Sequence, residues 1–461
     1  MRTFSLLGRA AMGNRPAERT RVAAAKLAAR ARQRARRPDL ARDRRARRRD
    51  GQIPSWRTRR QGIDWAPSPM PARLEDLLDE RRVVLCVGSG GVGKTTITAA
   101  LGLMAVERGR RVLCLTIDPA KRLAQSFGFE SFSTEAQEVA PERLAAAGVR
   151  ARGSLTIMML DTKRTFDQLV ERLAPDAASR QRIFDNRLYQ HVSTGLAGIQ
   201  SYMAMEKLLS VEQEQRYDLI VLDTPPTTNA LDFLDAPGRL IDVLDSPALR
   251  WFLEAMEASG RFSLNVVAKG MGVVLKGIGR ITGMGFLEQF AQLLADLNAL
   301  FGGFRRRATL VGEAFRSPRF GYVLVTSPDP AAIQEALFFS SRLLELGMRR
   351  DALVVNRVRL TRPGPVDREQ VEQAIAELGL DVPPGTADKI LQAFADEQQL
   401  AALDAAHLAT LRQELAAHPI PIFMEVPALA GDVHDVEALA QVKAALGRPA
   451  SPEDLRPPDG V

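Results

Sequence analysis

The sequence predicts an α/β protein in which helices cover both faces of a mostly parallel sheet, together with an α-helical insert. Short apolar runs rich in β-branched residues alternate with longer helical stretches along most of the chain. Strands that are apolar throughout are typical of parallel sheets that are buried on both faces. The alternation stops between Asp235 and Ser317, where apolar residues recur mostly at helical spacing, and this indicates the insert.

The predicted elements follow from this pattern in chain order. Strands are predicted at Arg82–Gly88, Val112–Ile117, Leu155–Leu160, Asp218–Leu222, Tyr322–Thr326, Ala352–Asn356 and Ile420–Glu425. Helices are predicted at Ile97–Arg108, at Ser193–Leu209 and, as one surface helix or a hairpin, at Asp388–His418. The predicted organisation is a leader over residues 1–70, a core over 71–235 and 318–447, a helical insert over 236–317 and a tail over 448–461.

The basic charge of the chain is concentrated near its beginning. The 461 residues carry a net charge of +8, yet residues 1–60 alone hold 20 Lys and Arg against 4 Asp and Glu. Such a segment is expected to be disordered, because it buries too little apolar surface to offset its conformational entropy. It is either a passive tail or a tether to nucleic acid or anionic lipid. We favour the passive tail, because no aromatic residues lie between the arginine clusters to stack on bases.

Several classes of protein are excluded by composition. The leader has no apolar core of a secretory signal, and no stretch has the length and apolarity of a membrane-spanning helix. Two cysteines, Cys86 and Cys114, exclude a disulfide scaffold, a four-cysteine zinc site and a CxxC redox pair. Both lie in predicted strands, where we expect them to act as small buried hydrophobic residues. The four histidines show no metal-ligand spacing.

The most specific motif lies between the first predicted strand and the first predicted helix. It comprises Gly88, Ser89, Gly90, Gly91, Val92, Gly93, Lys94, Thr95 and Thr96, and it fits the pattern G-x-x-x-x-G-K-[ST]. Its glycines allow consecutive backbone N–H groups to surround phosphate oxygens, and the helix that follows adds its N-terminal dipole. Lys94 is expected to reach the outer phosphates and the Thr95 hydroxyl to hold Mg²⁺. The motif therefore predicts a P-loop nucleoside triphosphatase.

Two aspartates follow predicted strands. Asp118 ends the second strand and Asp223 ends the fourth. Because the carboxyl ends of parallel strands meet at one edge of a sheet, both carboxylates are expected beside the phosphate loop. We expect Asp223 to help hold Mg²⁺ and Asp118 to orient the water that attacks the terminal phosphate.

At these residues the chain resembles the ArsA-type ATPases, a deviant P-loop class. The class includes the arsenite-pump ATPase and the targeting ATPase for tail-anchored membrane proteins. The resemblance extends from about Arg82 to Ala445 and rests on four motifs, which are Gly90–Thr96, Asp118–Ala120, Asp223–Thr227 and Pro427–Asp432. It implies hydrolysis of ATP with Mg²⁺, a homodimer or a pair with a homologous subunit, and a cytoplasmic protein that is free or peripheral at the inner face of a membrane.

The resemblance also implies roles for individual residues. Asp118 resembles the switch aspartate that positions the hydrolytic water, and Asp223 the second-switch aspartate near Mg²⁺. Asn356, which ends a predicted strand, resembles the asparagine that reads adenine. The segment 427–433, with Pro427 and Asp432, is similar to the loop that packs on the adenine.

The chain departs from the family pattern at two places. Ser89 stands where the family has a signature lysine that reaches the partner subunit's phosphates, so we expect slow hydrolysis unless Lys121 or Arg122 substitutes for that charge. The cysteines of an arsenite site are missing, and so are the paired metal-binding cysteines of the tail-anchor branch. A metalloid bound by thiols needs soft ligands, so we do not expect arsenite as cargo.

In the tail-anchor branch the helical insert forms an apolar groove for a client helix. Met256, Met271 and Met284 lie in this region, and methionine-lined surfaces adapt to varied apolar partners. We favour the plainer interpretation, a helical subdomain packed on itself or across a dimer, because periodic apolar residues more often form core.

Three functional hypotheses remain open. The leading one is an ATPase switch that couples its Mg-ATP state to a helical region binding a client or a membrane partner. The second is a nucleotide-gated carrier or scaffold with little turnover. The third is a ParA/MinD-like partitioning ATPase tethered by the basic leader, which is the one route by which nucleic-acid binding is expected.

Overall fold

The structure is a computed structural model that describes most of the chain after residue 70. The described residues are 71–117, 122–129, 134–195, 197–225, 227–258, 284–361, 364, 366–429 and 431–447. The predictions for the leader, the tail, Asp118, Lys121 and Met271 therefore lie outside the described residues.

A single eight-stranded sheet forms the centre of the described part. Its strands are β1 (Val83–Val87), β2 (Arg111–Thr116), β3 (Gln137–Glu138), β4 (Ser154–Met159), β5 (Leu219–Asp223), β6 (Phe320–Thr326), β7 (Ala352–Val358) and β8 (Ile422–Pro427). Their order is β3-β4-β2-β5-β1-β6-β7-β8, and every neighbouring pair is parallel except β3 with β4. The predicted α/β fold is confirmed, and the seven predicted strands are present within two residues of their expected ends. The two-residue β3 was not predicted, because it is too short to show a period.

Fifteen helices in the described residues surround this sheet. They are α1 (Leu74–Glu80), α2 (Lys94–Glu107), α3 (Arg122–Ser126), α4 (Pro141–Ala146), α5 (Thr162–Leu173), α6 (Ala177–Asp185), α7 (Arg187–Gly195), α8 (Ala197–Gln213), α9 (Thr227–Leu244), α10 (Pro247–Ala258), α11 (Met284–Arg316), α12 (Pro330–Glu345), α13 (Arg368–Glu377), α14 (Thr386–Leu415) and α15 (Val436–Leu446).

Two helical predictions are refined by the structure. The segment predicted as a helix at Ser193–Leu209 is helical on both sides of residue 196, which lies outside the described residues, and it falls within α7 and α8. Of the two alternatives predicted for Asp388–His418, the single helix is present: α14 is one helix of 30 residues, and the segment does not form a hairpin.

Alternation along β1 shows how both faces of the sheet are buried. Val83, Leu85 and Val87 belong to one apolar cluster, whereas Val84 and Cys86 belong to the other. Successive side chains of a strand point to opposite faces, so a strand that is apolar at every position needs cover on both sides. Helices α1, α2 and α15 contribute to the second cluster, and α5, α8, α9, α11 and α12 contribute to the first.

Helices α9 and α11, which overlap the described part of the predicted insert, pack against each other. Phe233 of α9 and Phe315 of α11 meet edge to face at 6.2 Å between ring centroids, and both are buried. Leu300 and Phe304 of α11 are also buried in the apolar cluster that contains the sheet residues. Much of the apolar periodicity in the described part of this segment therefore forms core.

Candidate functional site

The phosphate loop connects the central strand β1 to the N-terminus of α2. Gly91 and Gly93 adopt left-handed conformations with φ of 80° and 93°, which glycine reaches without steric cost. A Cβ atom at Gly88 would lie 2.0 Å from the carbonyl oxygen of Val325, so only glycine fits against strand β6. The sequence motif is thus realised as a tight strand–loop–helix turn at the carboxyl edge of the sheet.

Lys94 lies at the first position of α2 and folds back over the loop. Its Nζ atom donates a hydrogen bond to the carbonyl oxygen of Ser89 at 2.8 Å, and its side chain is only 7% exposed. A buried ammonium at a helix N-terminus adds charge to a dipole that already favours anions. The arrangement is suited to binding a polyanion such as the phosphates of a nucleotide.

Asp223 brings a carboxylate to the same place from strand β5. The Thr95 hydroxyl donates to its Oδ2 atom at 2.7 Å, and the Thr116 hydroxyl lies 3.3 Å from the same oxygen. Asp223 pairs with Cys86 of β1 and with Thr116 of β2, so the carboxylate lies between two strand ends. Hard oxygen ligands of this kind suit Mg²⁺, which usually takes one or two carboxylates plus substrate phosphates. The residues predicted for magnesium are therefore adjacent.

The end of strand β7 reaches the phosphate loop from the other side. The Asn356 side-chain amide donates to the carbonyl oxygen of Val92 at 2.9 Å, across 264 residues of sequence. Arg357 donates through Nη1 to the carbonyl oxygen of Gly91 at 3.1 Å. Sequence reasoning singled out Asn356 but missed Arg357, although Arg357 directly follows it. The position of Arg357 at the carboxyl end of a predicted parallel strand could have indicated that it lies near the phosphate loop.

These pieces enclose one cleft of about 960 Å³. It is lined by predicted site residues from four parts of the chain, which are Gly91, Gly93, Lys94, Thr95, Thr96, Asp223, Asn356, Pro427 and Asp432. Gly88, Ser89, Gly90 and Val92 belong to the same loop but do not line the cleft. Three arginines, Arg122, Arg357 and Arg359, add positive charge to its wall. The cleft has the size of a small-ligand site and a cationic character that suits phosphates.

The C-terminal part of the cleft is more open. The side chain of Asp432 is 82% exposed and lies 3.7 Å from His434 Nε2. The segment begins where the amide of Ala428 donates to the carbonyl oxygen of Val358 at 2.9 Å, which attaches it to the end of β7. The segment therefore follows strand β8 along the rim of the cleft, beside Asn356.

Both cysteines are buried behind the site and are poor ligands. Burial raises the pKa of the Cys86 thiol to about 12, and the charge of Asp223 acts in the same direction. Burial likewise raises the pKa of Cys114 well above its usual range. A thiol that stays protonated is a weak nucleophile and a weak metal ligand.

A parallel sheet with a lysine-bearing glycine loop after its central strand, and a carboxylate at the end of the neighbouring strand, defines a P-loop nucleoside triphosphatase. Comparison with known proteins gives the family. Residues 81–363 match the anion-transporting ATPase family, and the chain belongs to this family. The family hydrolyses ATP, so the chain is an ATPase, as the sequence predicted.

Individual relatives are distant in sequence, and each aligns with more than half of this chain. The chain is 23% identical to the ATPase GET3 of Malassezia globosa over 297 residues, which are 64% of this chain and 78% of the relative. It is 24% identical to the putative arsenical pump-driving ATPase 1 of Aquifex aeolicus over 288 residues, or 60% and 63% of the two chains. The ATPase get3 of Schizosaccharomyces pombe is 23% identical over 312 residues, or 66% and 84%.

None of the helices within the described ranges combines the length and the apolarity that crossing a bilayer requires.

Proposed function

We propose that the cleft binds Mg-ATP and that the chain uses its hydrolysis as a conformational switch. The observation that carries this proposal is the Thr95 hydroxyl held 2.7 Å from the Asp223 carboxylate, beside the buried Lys94 at the start of α2. Phosphoryl transfer needs little covalent chemistry from a protein, so positioning and charge neutralisation are the main contributions of such a site.

Lys94 and the backbone N–H groups of the loop bind the phosphates and offset their negative charge. Thr95 and Asp223 would hold Mg²⁺ through a hydroxyl and a carboxylate, a donor set that fits this hard cation. When bound, the metal would supply positive charge that offsets the negative charge of the phosphates. Asp118 orients the attacking water. Asn356 and the segment with Pro427 and Asp432 bind the adenine.

The switch is coupled to the helical layer through the chain that follows Asp223. Helix α9 begins four residues after that carboxylate, and it packs against α8 and α11. Loops held by nucleotide and released after hydrolysis are a common way to move an attached element. We infer that the helical region binds an apolar helical client or a membrane protein, and that the chain acts as a homodimer or beside a homologous subunit in the cytoplasm, free or at the inner face of a membrane.

Arsenite is not the cargo in this proposal. The buried cysteines support this part of it, because their raised pKa values oppose the thiolate form that a soft ion needs. The relative from Aquifex aeolicus is named a putative arsenical pump-driving ATPase, and we do not propose that activity for this chain. A carrier with little turnover stays a second candidate, because the loop has Ser89 where the family has a lysine.

Calorimetry on the full chain tests the site. We expect magnesium-dependent binding of ATP and ADP, which Lys94→Ala weakens at least roughly 100-fold, since it removes a charged contact to phosphate. Lys163→Ala is the matched control, because Lys163 forms a local ion pair with Asp167 outside the cleft. Binding that persists unchanged in Lys94→Ala would refute the assignment.

Turnover distinguishes the switch from the carrier. Asp118→Asn should keep ATP binding while hydrolysis falls roughly 100-fold or more, as expected for loss of a group that orients water. A synthetic apolar transmembrane peptide should change the hydrolysis rate of the wild-type chain. If the peptide binds in the ATP state of a chain with no measurable turnover, the carrier is the correct description.

A further inference from the structure

Arg357 occupies an irregular position at the end of strand β7. The pairing of β7 with β8 shifts between Asn356 and Val358, so that Asn356 pairs with Val426 and Val358 with Pro427. Arg357 is the extra residue of this bulge, and its φ of 62° is left-handed, which is uncommon for a residue other than glycine. Bulges bend a strand locally and can redirect a side chain next to an active site.

The bulge has a visible consequence for two neighbouring side chains. In a regular strand the side chains of Asn356 and Arg357 would point to opposite faces of the sheet. Here both donate hydrogen bonds to consecutive carbonyl oxygens of the phosphate loop, Asn356 to Val92 and Arg357 to Gly91. The end of β7 therefore presents an amide and a guanidinium together at the loop.

Within the described residues, the guanidinium of Arg357 uses little of its hydrogen-bonding capacity. Arginine offers five N–H donors, and within the described residues one of those of Arg357 is used, on Gly91. No carboxylate of the described residues lies within ion-pair distance of it. Arg359, two residues further on and lining the same cleft, is different: Asp404 accepts from its backbone amide at 3.0 Å and lies 3.4 Å from its guanidinium.

We propose that Arg357 is a phosphate-binding residue that supplies a second positive charge beside Lys94 from within the same chain. The inference rests on the proposed function, since it concerns the same cleft. The loop itself carries one cation, Lys94, because Ser89 is uncharged, whereas a nucleoside triphosphate carries several negative charges. A guanidinium anchored to Gly91 offers its fork of donors to these charges, a geometry that arginine provides better than lysine.

The test compares ligands that differ in phosphate number. ATP, ADP and adenosine are titrated by calorimetry into the wild-type chain, Arg357→Gln, Arg357→Lys and Lys94→Ala. Arg357→Gln should weaken ATP binding roughly 10- to 100-fold, the range of one charge-assisted contact, and ADP binding less. Adenosine affinity should not change, and the salt dependence of ATP binding should become shallower. Arg357→Lys should keep part of the preference for ATP over ADP.

Arg368→Gln is the matched control, because it removes the same charge outside the cleft, at a guanidinium that Glu372 and Asp388 already pair. Its ATP affinity should stay within about twofold of wild type, as expected for a screened charge.

Two results would overturn the inference and leave the proposed function standing. In the first, Arg357→Gln weakens the binding of adenosine as much as that of ATP. In the second, Arg357→Gln binds ATP like the wild-type chain, whereas Lys94→Ala loses ATP binding. Absence of magnesium-linked ATP binding in the wild-type chain would overturn both the inference and the proposed function. Unfolding midpoints of each variant check the fold, and Arg357→Lys decides the outcome if Arg357→Gln does not fold.

Discussion

At the scale of residues, two glycines of the phosphate loop have no space for a Cβ atom. Gly93 has a φ of 93°, and a Cβ atom there would lie 2.2 Å from the Asn356 amide nitrogen. Two separate constraints, one on the backbone and one on the space beside it, therefore require glycine at the same position. Gly88 is constrained by space alone. Its backbone is not left-handed, but strand β6 lies directly against it.

Gly88→Ala tests this close approach. The added methyl group would meet the Val325 carbonyl oxygen at 2.0 Å, and because both atoms are tied to backbone, neither moves cheaply. We expect a loss of about 2–4 kcal/mol in the free energy of unfolding, measured by urea denaturation. Gly198→Ala is the control. Gly198 lies in helix α8 with open space around it, and alanine should stabilise that helix by up to about 1 kcal/mol. Equal effects of the two substitutions would contradict the argument.

The two thiols should be unreactive in the folded chain. Burial raises the pKa of Cys86 to about 12 and that of Cys114 further, so the reactive thiolate is scarce at pH 8. A colorimetric thiol reagent at pH 8 should therefore titrate neither cysteine in the native protein and both after denaturation. Reaction of either thiol within minutes under native conditions would show that the strands open there.

At the scale of elements, α8 and α11 are joined by a buried ion pair. Glu206 of α8 is almost fully buried, and Arg307 of α11 donates to its Oε2 from Nε at 3.1 Å and to its Oε1 from Nη2 at 2.5 Å. A bidentate pair inside a helical layer fixes how the two helices are placed against each other. Since α9 packs against both helices, this pair also supports the element that follows Asp223.

Arg307→Ala should be strongly destabilising, because it leaves the Glu206 carboxylate buried with Arg172 at 3.9 Å as its other ion-pair contact. We expect a loss of about 3 kcal/mol in the free energy of unfolding. Arg305→Ala on the same helix is the matched control. The ion pair of Arg305 with Asp245 is exposed, so its loss should cost less than about 1 kcal/mol. Urea denaturation of both variants measures the contrast, and similar losses would argue against a special role of the buried pair.

A second pair joins the beginning of strand β2 to the residue before β5. Hydrogen bonds from Arg111 hold the pKa of Asp218 at about 2, below its ordinary value of 3.8. Because the pKa is lower in the folded state, the pair stabilises the fold above about pH 4, and this contribution is lost as the pH falls toward about 2. Both side chains are substantially exposed, so solvent screening keeps the effect small.

Asp218→Asn should therefore lower the free energy of unfolding by less than about 1 kcal/mol at pH 7. The deficit should shrink as the pH is lowered from 4 toward 2, and it should also shrink in 1 M salt. Urea denaturation across this pH range measures it. Arg111→Gln should show the same deficit, and the double variant should not add the two losses, because they remove one interaction. If the difference in the free energy of unfolding between variant and wild type grew as the pH fell, it would contradict this role of the pair.

At the scale of the whole molecule, nucleotide binding should be visible as stability. A ligand that binds the folded state alone stabilises it by about 2.7 kcal/mol at a concentration of 100 Kd. Thermal unfolding with Mg-ATP should therefore shift upward in the wild-type chain and stay unchanged in Lys94→Ala. If Mg-ATP raised the unfolding temperature of Lys94→Ala as much as that of the wild-type chain, the nucleotide would bind elsewhere.

Much of the fold was predictable because its signals are local. A strand, a glycine loop and a helix follow one another within residues 83–107, so one window of sequence contains the complete phosphate loop. Apolar strands separated by helices likewise predict a buried parallel sheet from burial alone. The role of Asp118 stays a prediction, since that residue lies outside the described ranges.

The sequence by itself determined the class of protein, the phosphate loop with Lys94 and Thr95, and the strand-end carboxylate Asp223. Only the tertiary structure decided which distant residues meet that loop, as Arg357 does with Gly91 across 266 positions. Periodicity reports whether a residue is buried, but it carries no information on which strands are neighbours or where a register shifts. A single bulge at the end of β7 turns Arg357 toward the loop, and no local sequence pattern predicts that bulge.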